Sequence, residues 1–394
     1  MKKFKKFKKF KNFCYVPFRE LYYEDVGSGQ FNSCCTQKDI HRKNIFDTID
    51  TDWFANSKEL KQLRKEFLKG KRPDKCARCW ILEEKGVDSY RTQWNKKYKR
   101  EPIKGIQPRL ELLDIRLSNK CNLQCKMCTP GFSDQIAKKQ QEMFELGLVD
   151  TAPKIETLRP VRDNLLDNMF NHIMNTPSIR EIKLAGGEPM IMPEVEEFLI
   201  KLITAGRTDI KIFILTNATT VKTSMITTLK QFKHVEISCS IDGVGEWIEY
   251  QRAPASWRTI SKNYDKLVNS NLFVTLTPCW SHLNLFGIVE YFKWLDTTKV
   301  NWVSFNEVTW PSYLSWELIP MKYRYELISQ LDDIVFPKNI NQDYIGFVNR
   351  IKTETRPITN DEREELKKAV VIWDYKSKVK YRDMFPWATE LLGE

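Results

Sequence analysis

The chain has 394 residues, of which 42% are hydrophobic, 29% charged and 12% aromatic. That excludes wholesale disorder and gives enough chain for two or three domains with a sizeable core. The net charge is +12, but seven lysines fall in the first eleven residues, so the body is only mildly basic. No apolar run approaches the roughly eighteen residues of a transmembrane helix, and no apolar stretch at the start has the form of a secretory signal, so a cytoplasmic protein without a membrane span is expected.

Ten cysteines accompany only four histidines, His41, His172, His234 and His282, none in a paired spacing. In a reducing compartment, clustered cysteines serve metals or catalysis rather than disulfides. A thiolate-rich site favours zinc or iron–sulfur over calcium, magnesium or histidine-built iron.

Residues 1–12 interleave lysine pairs with Phe4, Phe7 and Phe10. They read as a solvated basic tail, with a weak anchor for nucleic acid or an anionic membrane as the other reading. Residues 13–100 hold five cysteines and many aromatics. Within them Trp53 to Leu68 has helical apolar spacing, ended by Gly70 and Pro73. Residues 97–109, with Pro102, Gly105 and Pro108, read as a linker.

From 110 to 310 strands and helices alternate. Strands are expected at 112–118, 179–185, 210–216, 235–241, 273–279 and 302–306. Helices are expected at 193–205, 221–232, 257–270 and 284–296. Such alternation implies βαβ units on a parallel sheet, and six units fit a partial (βα)6 barrel better than a small open sheet. Strands buried on both faces are almost wholly apolar. Here Asp114, Arg116 and Ser118, then Glu181 and Lys183, then Glu236, Ser238, Ser240 and Asp242 alternate with apolar neighbours. A polar lumen follows, with its site at the carboxyl ends of the strands. Residues 311–394 read as a helical extension without a chemical motif.

The strongest chemical signal is Cys121-Asn-Leu-Gln-Cys125-Lys-Met-Cys128, between the first of these strands and a helix. Three thiolates in one loop ligate three irons of a four-iron cluster and leave one open, as three-ligand zinc sites leave one position for chemistry. The plainer reading is a zinc loop. A second group lies upstream: Cys14, the pair Cys34-Cys35, and Cys76-Ala-Arg-Cys79. Five cysteines there compete for four places, and Cys34 and Cys35 are near equivalents. Cys239 falls on an apolar strand face and reads as core; Cys279 shares a face with Thr275 and Thr277 and points to the lumen. Trp280, Asn284 and Trp310 lie near the expected mouth, where packing is the simpler role.

At CxxxCxxC the chain resembles the radical SAM superfamily, and four further features fall in order with the strands. Gly186-Gly187-Glu188-Pro189 ends the second strand, Thr216-Asn217 the third; Ser238, Ser240 and Asp242 lie along the fourth, and Met127 precedes the last loop cysteine. The resemblance covers residues 110–310. It implies a 4Fe–4S cluster on Cys121, Cys125 and Cys128 whose open iron binds S-adenosylmethionine, reductively cleaved to a 5′-deoxyadenosyl radical. It further implies that Gly186 and Gly187 let backbone approach the cofactor and that Glu188 accepts from its ammonium. Ser238, Ser240 and Asp242 would hold ribose and carboxylate, Asn217 of the Thr-Asn pair would also contact the cofactor, and the Met127 backbone would meet the adenine.

The upstream cysteines resemble a twitch or SPASM-type auxiliary module, which implies a second 4Fe–4S cluster on Cys14, Cys34, Cys76 and Cys79, although such modules usually follow the barrel. An electron donor such as flavodoxin or ferredoxin and an unknown substrate, a peptide or protein by preference, are implied in the same way. The competing expectation is a non-catalytic iron–sulfur or zinc protein that binds nucleic acid through its lysine arm.

Overall fold

A computed structural model describes residues 11–24, 30–36, 51–98, 105–153 and 165–394. Most of the basic tail and part of the expected linker lie outside them. Eight strands form one sheet in the order β2-β1-β3-β4-β5-β6-β7-β8. They are β1 Glu20–Glu24, β2 Gln30–Asn32, β3 Leu112–Arg116, β4 Glu181–Ala185, β5 Lys211–Thr216, β6 Val235–Cys239, β7 Phe273–Leu276 and β8 Trp302–Val303. From β3 to β8 every neighbour pair is parallel. These are the six strands legible in the sequence.

The sheet does not stop there. β1, from the cysteine-rich segment, pairs parallel with β3 through five residues, Glu20 opposite Leu112 to Glu24 opposite Arg116. β2 then folds back antiparallel on β1. The cysteine-rich segment therefore supplies a seventh parallel strand to the barrel sheet. A buried carboxylate ties the junction: Glu111 pairs with Arg19 before β1 and with Arg180 before β4 at 2.7 Å.

Helices cover the outer face. Pro193–Thr204, Trp257–Val268 and Ile288–Thr297 each bury one apolar stripe, as amphipathic helices on a sheet must. The helix expected from Trp53 to Leu68 is two, Thr51–Asn56 and Lys58–Leu68, because Ser57 breaks the run and caps the second through the Leu60 amide.

Five further helices from Met321–Asp332 to Ala388–Leu392 form the C-terminal extension. They close over the last strands: Trp280, fully buried, donates to Tyr344 Oη at 3.0 Å, and His282 meets Tyr381 Oη at 3.2 Å. Among the described residues no helix is long and apolar enough to cross a membrane.

Candidate functional site

The loop after β3 is folded by its own polar side chains. Ser133 caps the helix Asp134–Glu145 and donates to Leu123 O at 2.6 Å. Asp134 Oδ1 accepts from the Cys121 amide at 2.9 Å. On the other side Asn122 donates to Thr219 Oγ1 at 2.7 Å and accepts from Asn217 Nδ2 at 3.0 Å, tying the loop to the end of β5. Cys121, Cys125 and Cys128 are thereby gathered at the carboxyl end of the sheet. Burial and the neighbouring Cys125 push Cys121 up to about 12, and burial with Cys125 and Cys121 does the same to Cys128.

The glycines of the Gly-Gly-Glu-Pro turn also answer a packing need within the chain. Gly187 adopts φ +54°, and a Cβ there would collide with Lys120 O. The pair lets the turn after β4 pack against the backbone that enters the cysteine loop, and Glu188 N–H donates to Lys120 O at 2.9 Å. The Glu188 carboxylate is buried. It accepts from Met190 N at 3.0 Å, Thr216 Oγ1 at 2.7 Å and Asn217 N at 2.6 Å. It joins the ends of β4 and β5 under the loop, and burial outweighs those donors to hold it above the usual carboxylate range.

Ser238 Oγ and Thr277 Oγ1 are in contact across β6 and β7. The Ser240 amide donates to Thr216 O at 2.8 Å. Asp242 is fully buried: Oδ2 accepts from Arg252 Nε at 2.5 Å and Gln251 Nε2 at 3.2 Å, and Oδ1 from the Cys279 amide at 2.9 Å. Met127 Sδ lies 3.5 Å from Gln251 Nε2. Asn284 is a buried strut to Asp242 O at 2.7 Å. Cys239 is buried in the core, while Trp310 is exposed on the rim of a cavity of about 1110 Å³ between the cysteine loop and the C-terminal helices. Cys125, Cys128 and Trp373 also line that cavity.

Asn122, Gln251 and Arg252 were not singled out by sequence reasoning. The available signal was modest: Gln251 and Arg252 end a short helix and precede Pro254.

In the N-terminal segment the two adjacent cysteines diverge. Thr36 Oγ1 lies 3.1 Å from Cys34 Sγ and 3.7 Å from Cys79 Sγ, which puts Cys34 on the side of Cys79. Burial, Cys76 and Cys79 push the Cys14 thiol up, and burial and Cys79 push Cys76 up to about 12, so the three lie near one another. Cys35 instead enters the lumen, its sulfur within 4.8 Å of carboxylate oxygens of Glu20 and Asp114. Its hydrogen bond with Cys34 and the Lys183 ammonium bring it to about 7 against burial. Lys183 Nζ holds Asp114 at 2.9 Å, and Arg116 grips the other oxygen. Against burial, Arg116 and Lys183 keep Asp114 below the usual carboxylate range.

The donor sets fit iron–sulfur clusters. Tetrahedral zinc, with Zn–S of about 2.3 Å, draws its sulfurs to about 3.8 Å of one another. Among the described residues, Glu20, Cys35 and Asp114 are the trio whose ligand atoms lie within 4.8 Å. Cys121, Cys125 and Cys128 share one loop, and a four-iron cluster would take one iron per thiolate. Buried thiols raised by one another need a polycation between them to ionise, and binding then releases their protons.

Residues 115–295 match the family described as the Radical SAM superfamily. No curated protein matches the chain. Among solved structures, Streptococcus suis SuiB bound to precursor peptide SuiA is 15% identical, with a TM-score of 0.39 over 76% of this chain and 56% of that one. Hexahistidine-tagged anSMEcpe with bound AdoMet is 19% identical, TM-score 0.42, over 63% and 62%. The methyltransferase TsrM from Kitasatospora setae, with cobalamin and a [4Fe-4S] cluster bound, is 11% identical, TM-score 0.34, over 50% and 36%. The chain thus spans little more than half the length of SuiB.

Proposed function

Because residues 115–295 match the Radical SAM superfamily, we propose that the chain cleaves S-adenosylmethionine reductively and uses the radical to abstract hydrogen from a peptide or protein substrate. The observation that carries this is the cysteine loop. Cys121, Cys125 and Cys128 come together in one loop at the carboxyl end of the sheet, and three thiolates there would hold a four-iron cluster with one iron left open. When bound, the cluster supplies the electron and the cofactor supplies the radical.

The chain's own part is to position and to exclude water. Asn122, Asn217 and Thr219 fix the loop to β5, and Glu188 fixes the turn after β4 to the same strand. Gly186, Gly187, Asn217, Ser238, Ser240 and the Met127 backbone remain the proposed cofactor contacts. Glu188 and Asp242 remain proposed contacts too, and they also hold neighbouring groups in place.

The N-terminal cysteines Cys14, Cys34, Cys76 and Cys79 are proposed to hold an auxiliary 4Fe–4S cluster, closed by four thiolates and suited to electron transfer. Between the two cysteine sets lies a polar lumen. Glu20 is buried there; Tyr90 donates to its Oε2 at 2.8 Å, while its Oε1 has no donor among the described residues. An unsatisfied buried acceptor costs on the order of 1–3 kcal/mol, a cost that a substrate N–H removes. Burial, Cys35 and Asp114 push the Glu20 carboxyl up, so this unpaired oxygen can accept or donate, which suits a substrate offering both N–H and C=O groups, as a peptide does.

The test is anaerobic. The protein is reconstituted with iron and sulfide, given S-adenosylmethionine and a strong reductant, and 5′-deoxyadenosine is quantified by mass spectrometry. Formation is expected and should vanish in Cys125→Ala with the N-terminal iron retained. Undiminished formation in Cys125→Ala would overturn the assignment.

A further inference from the structure

Two backbone hydrogen bonds lock the cysteine loop to the segment 251–253. The Gln124 amide donates to Ala253 O at 2.6 Å and the Lys126 amide to Gln251 O at 2.8 Å. The two donors flank Cys125 and the two acceptors flank Arg252. This register sets Arg252 opposite Cys125, although 127 residues separate them in sequence.

The side chains complete the arrangement. Arg252 Nη1 donates toward Cys125 Sγ at 3.8 Å, while Nε donates to Asp242 at 2.5 Å. Asp242 is held in turn by the Cys279 amide and Gln251 Nε2. The Arg252 side chain is only 11% exposed and that of Asp242 is wholly buried. A guanidinium so enclosed is screened little by solvent, and its direction is fixed by its carboxylate partner.

We propose that Arg252, oriented by Asp242, is a positioning residue that tunes the reduction potential of the barrel cluster through Cys125. The inference rests on the functional reading above and deepens it. Cluster potentials respond to net charge and to hydrogen bonds on the ligating sulfurs. Reduction adds negative charge to the cluster and its thiolates. A buried cation donating to one of those sulfurs stabilises the reduced state more than the oxidised state and makes the electron easier to accept. Asp242 lowers the net charge but keeps the donor on the sulfur. This gives Asp242 a task other than cofactor contact. It also explains why the segment after the helix Glu246–Gln251 is bonded to the loop on both sides of Cys125.

The test is a redox titration of the reconstituted full-length protein, followed by electron paramagnetic resonance. The barrel cluster is identified by the signal that Cys125→Ala removes. Arg252→Gln should shift its midpoint to a more negative potential and leave the midpoint and iron of the N-terminal cluster unchanged. Arg252→Lys, which keeps the charge without the forked donor, should fall between parent and Arg252→Gln. An unmoved midpoint in Arg252→Gln with the cluster in place overturns the proposal. If Arg252→Gln does not retain the cluster, Arg252→Lys supplies the reading, since losing the forked donor at constant charge should shift the midpoint in the same direction by a smaller amount, and an unmoved value overturns the proposal equally. A parent protein with no loop-dependent signal would instead sink the functional assignment on which this one stands.

Discussion

Adjacent residues of one type can have opposite fates, and Cys34 and Cys35 show how. From sequence they are interchangeable, because both follow the same short strand and nothing local distinguishes them. The fold separates them by direction: Cys34 lies beside Thr36 and Cys79, while Cys35 points at Glu20 and Asp114. Cys34→Ala should therefore cost the reconstituted protein one cluster's iron, whereas Cys35→Ala should keep it. Iron analysis with Mössbauer spectroscopy reads the difference, and equal loss in both would show that the two thiols exchange. Gly187 is a second case. Its turn is legible in the sequence, but its purpose is not, because the Lys120 carbonyl it accommodates becomes a neighbour only after β3 and β4 pair. A Cβ at φ +54°, driven into that oxygen, costs the left-handed penalty of about 1–2 kcal/mol and forces the loop entry away. Gly187→Ala is expected to lower iron occupancy at Cys121, Cys125 and Cys128 while the N-terminal iron stays.

At the level of elements, the strands β3 to β8 are readable because each alternates or runs apolar over its length. What escapes is β1. Its residues follow a four-residue helix, Val16–Arg19, in a segment whose cysteines suggest a self-contained module, and local periodicity cannot say which strand it joins. Arg252 escapes for the same reason, since its partner is distant in sequence. The C-terminal helices carry no motif, yet their packing has a measurable consequence. His282 is fully buried against Tyr381 and Phe385, and burial brings it down to about 3. Unfolded, it titrates near about 6.5. Between these values the unfolded chain binds the extra proton, so stability is complete above about 6.5 and falls as pH drops. At pH 5 the expected loss is about 2 kcal/mol, readable by urea unfolding at pH 7.5 and pH 5. His172 is also lowered by burial and adds in the same direction, so the comparison is with His282→Asn, whose loss over that window should be smaller. An identical pH slope in that variant would place the proton elsewhere.

For the molecule as a whole, the shared sheet decides how its parts hold together. The auxiliary module of similar proteins usually follows the barrel; here the cysteine-rich segment comes first. A linear reading makes it an appendage. The pairing of β1 with β3 makes it an edge of the barrel, and Cys35 enters the same lumen as Asp114 of β3. The junction is also electrostatic. Glu111 is buried, and its carboxylate is held by Arg19 from one part and by Arg180 and, at 3.3 Å, Arg109 from the other. Removing the carboxylate takes from buried Arg19 the counter-charge that Glu111 supplies, and breaking a buried pair costs up to about 3–5 kcal/mol. Glu111→Ala should therefore lower stability by that order. The loss should appear equally to a probe on the N-terminal helices, where Trp53, Trp80 and Trp94 report, and to the circular dichroism of the barrel helices. Calorimetry of the parent protein should show one cooperative transition across both parts, because a strand cannot leave a parallel sheet without exposing β3. Two separated transitions, with Glu111→Ala moving only the lower, would mean that the cysteine-rich segment folds apart from the barrel and merely leans on it.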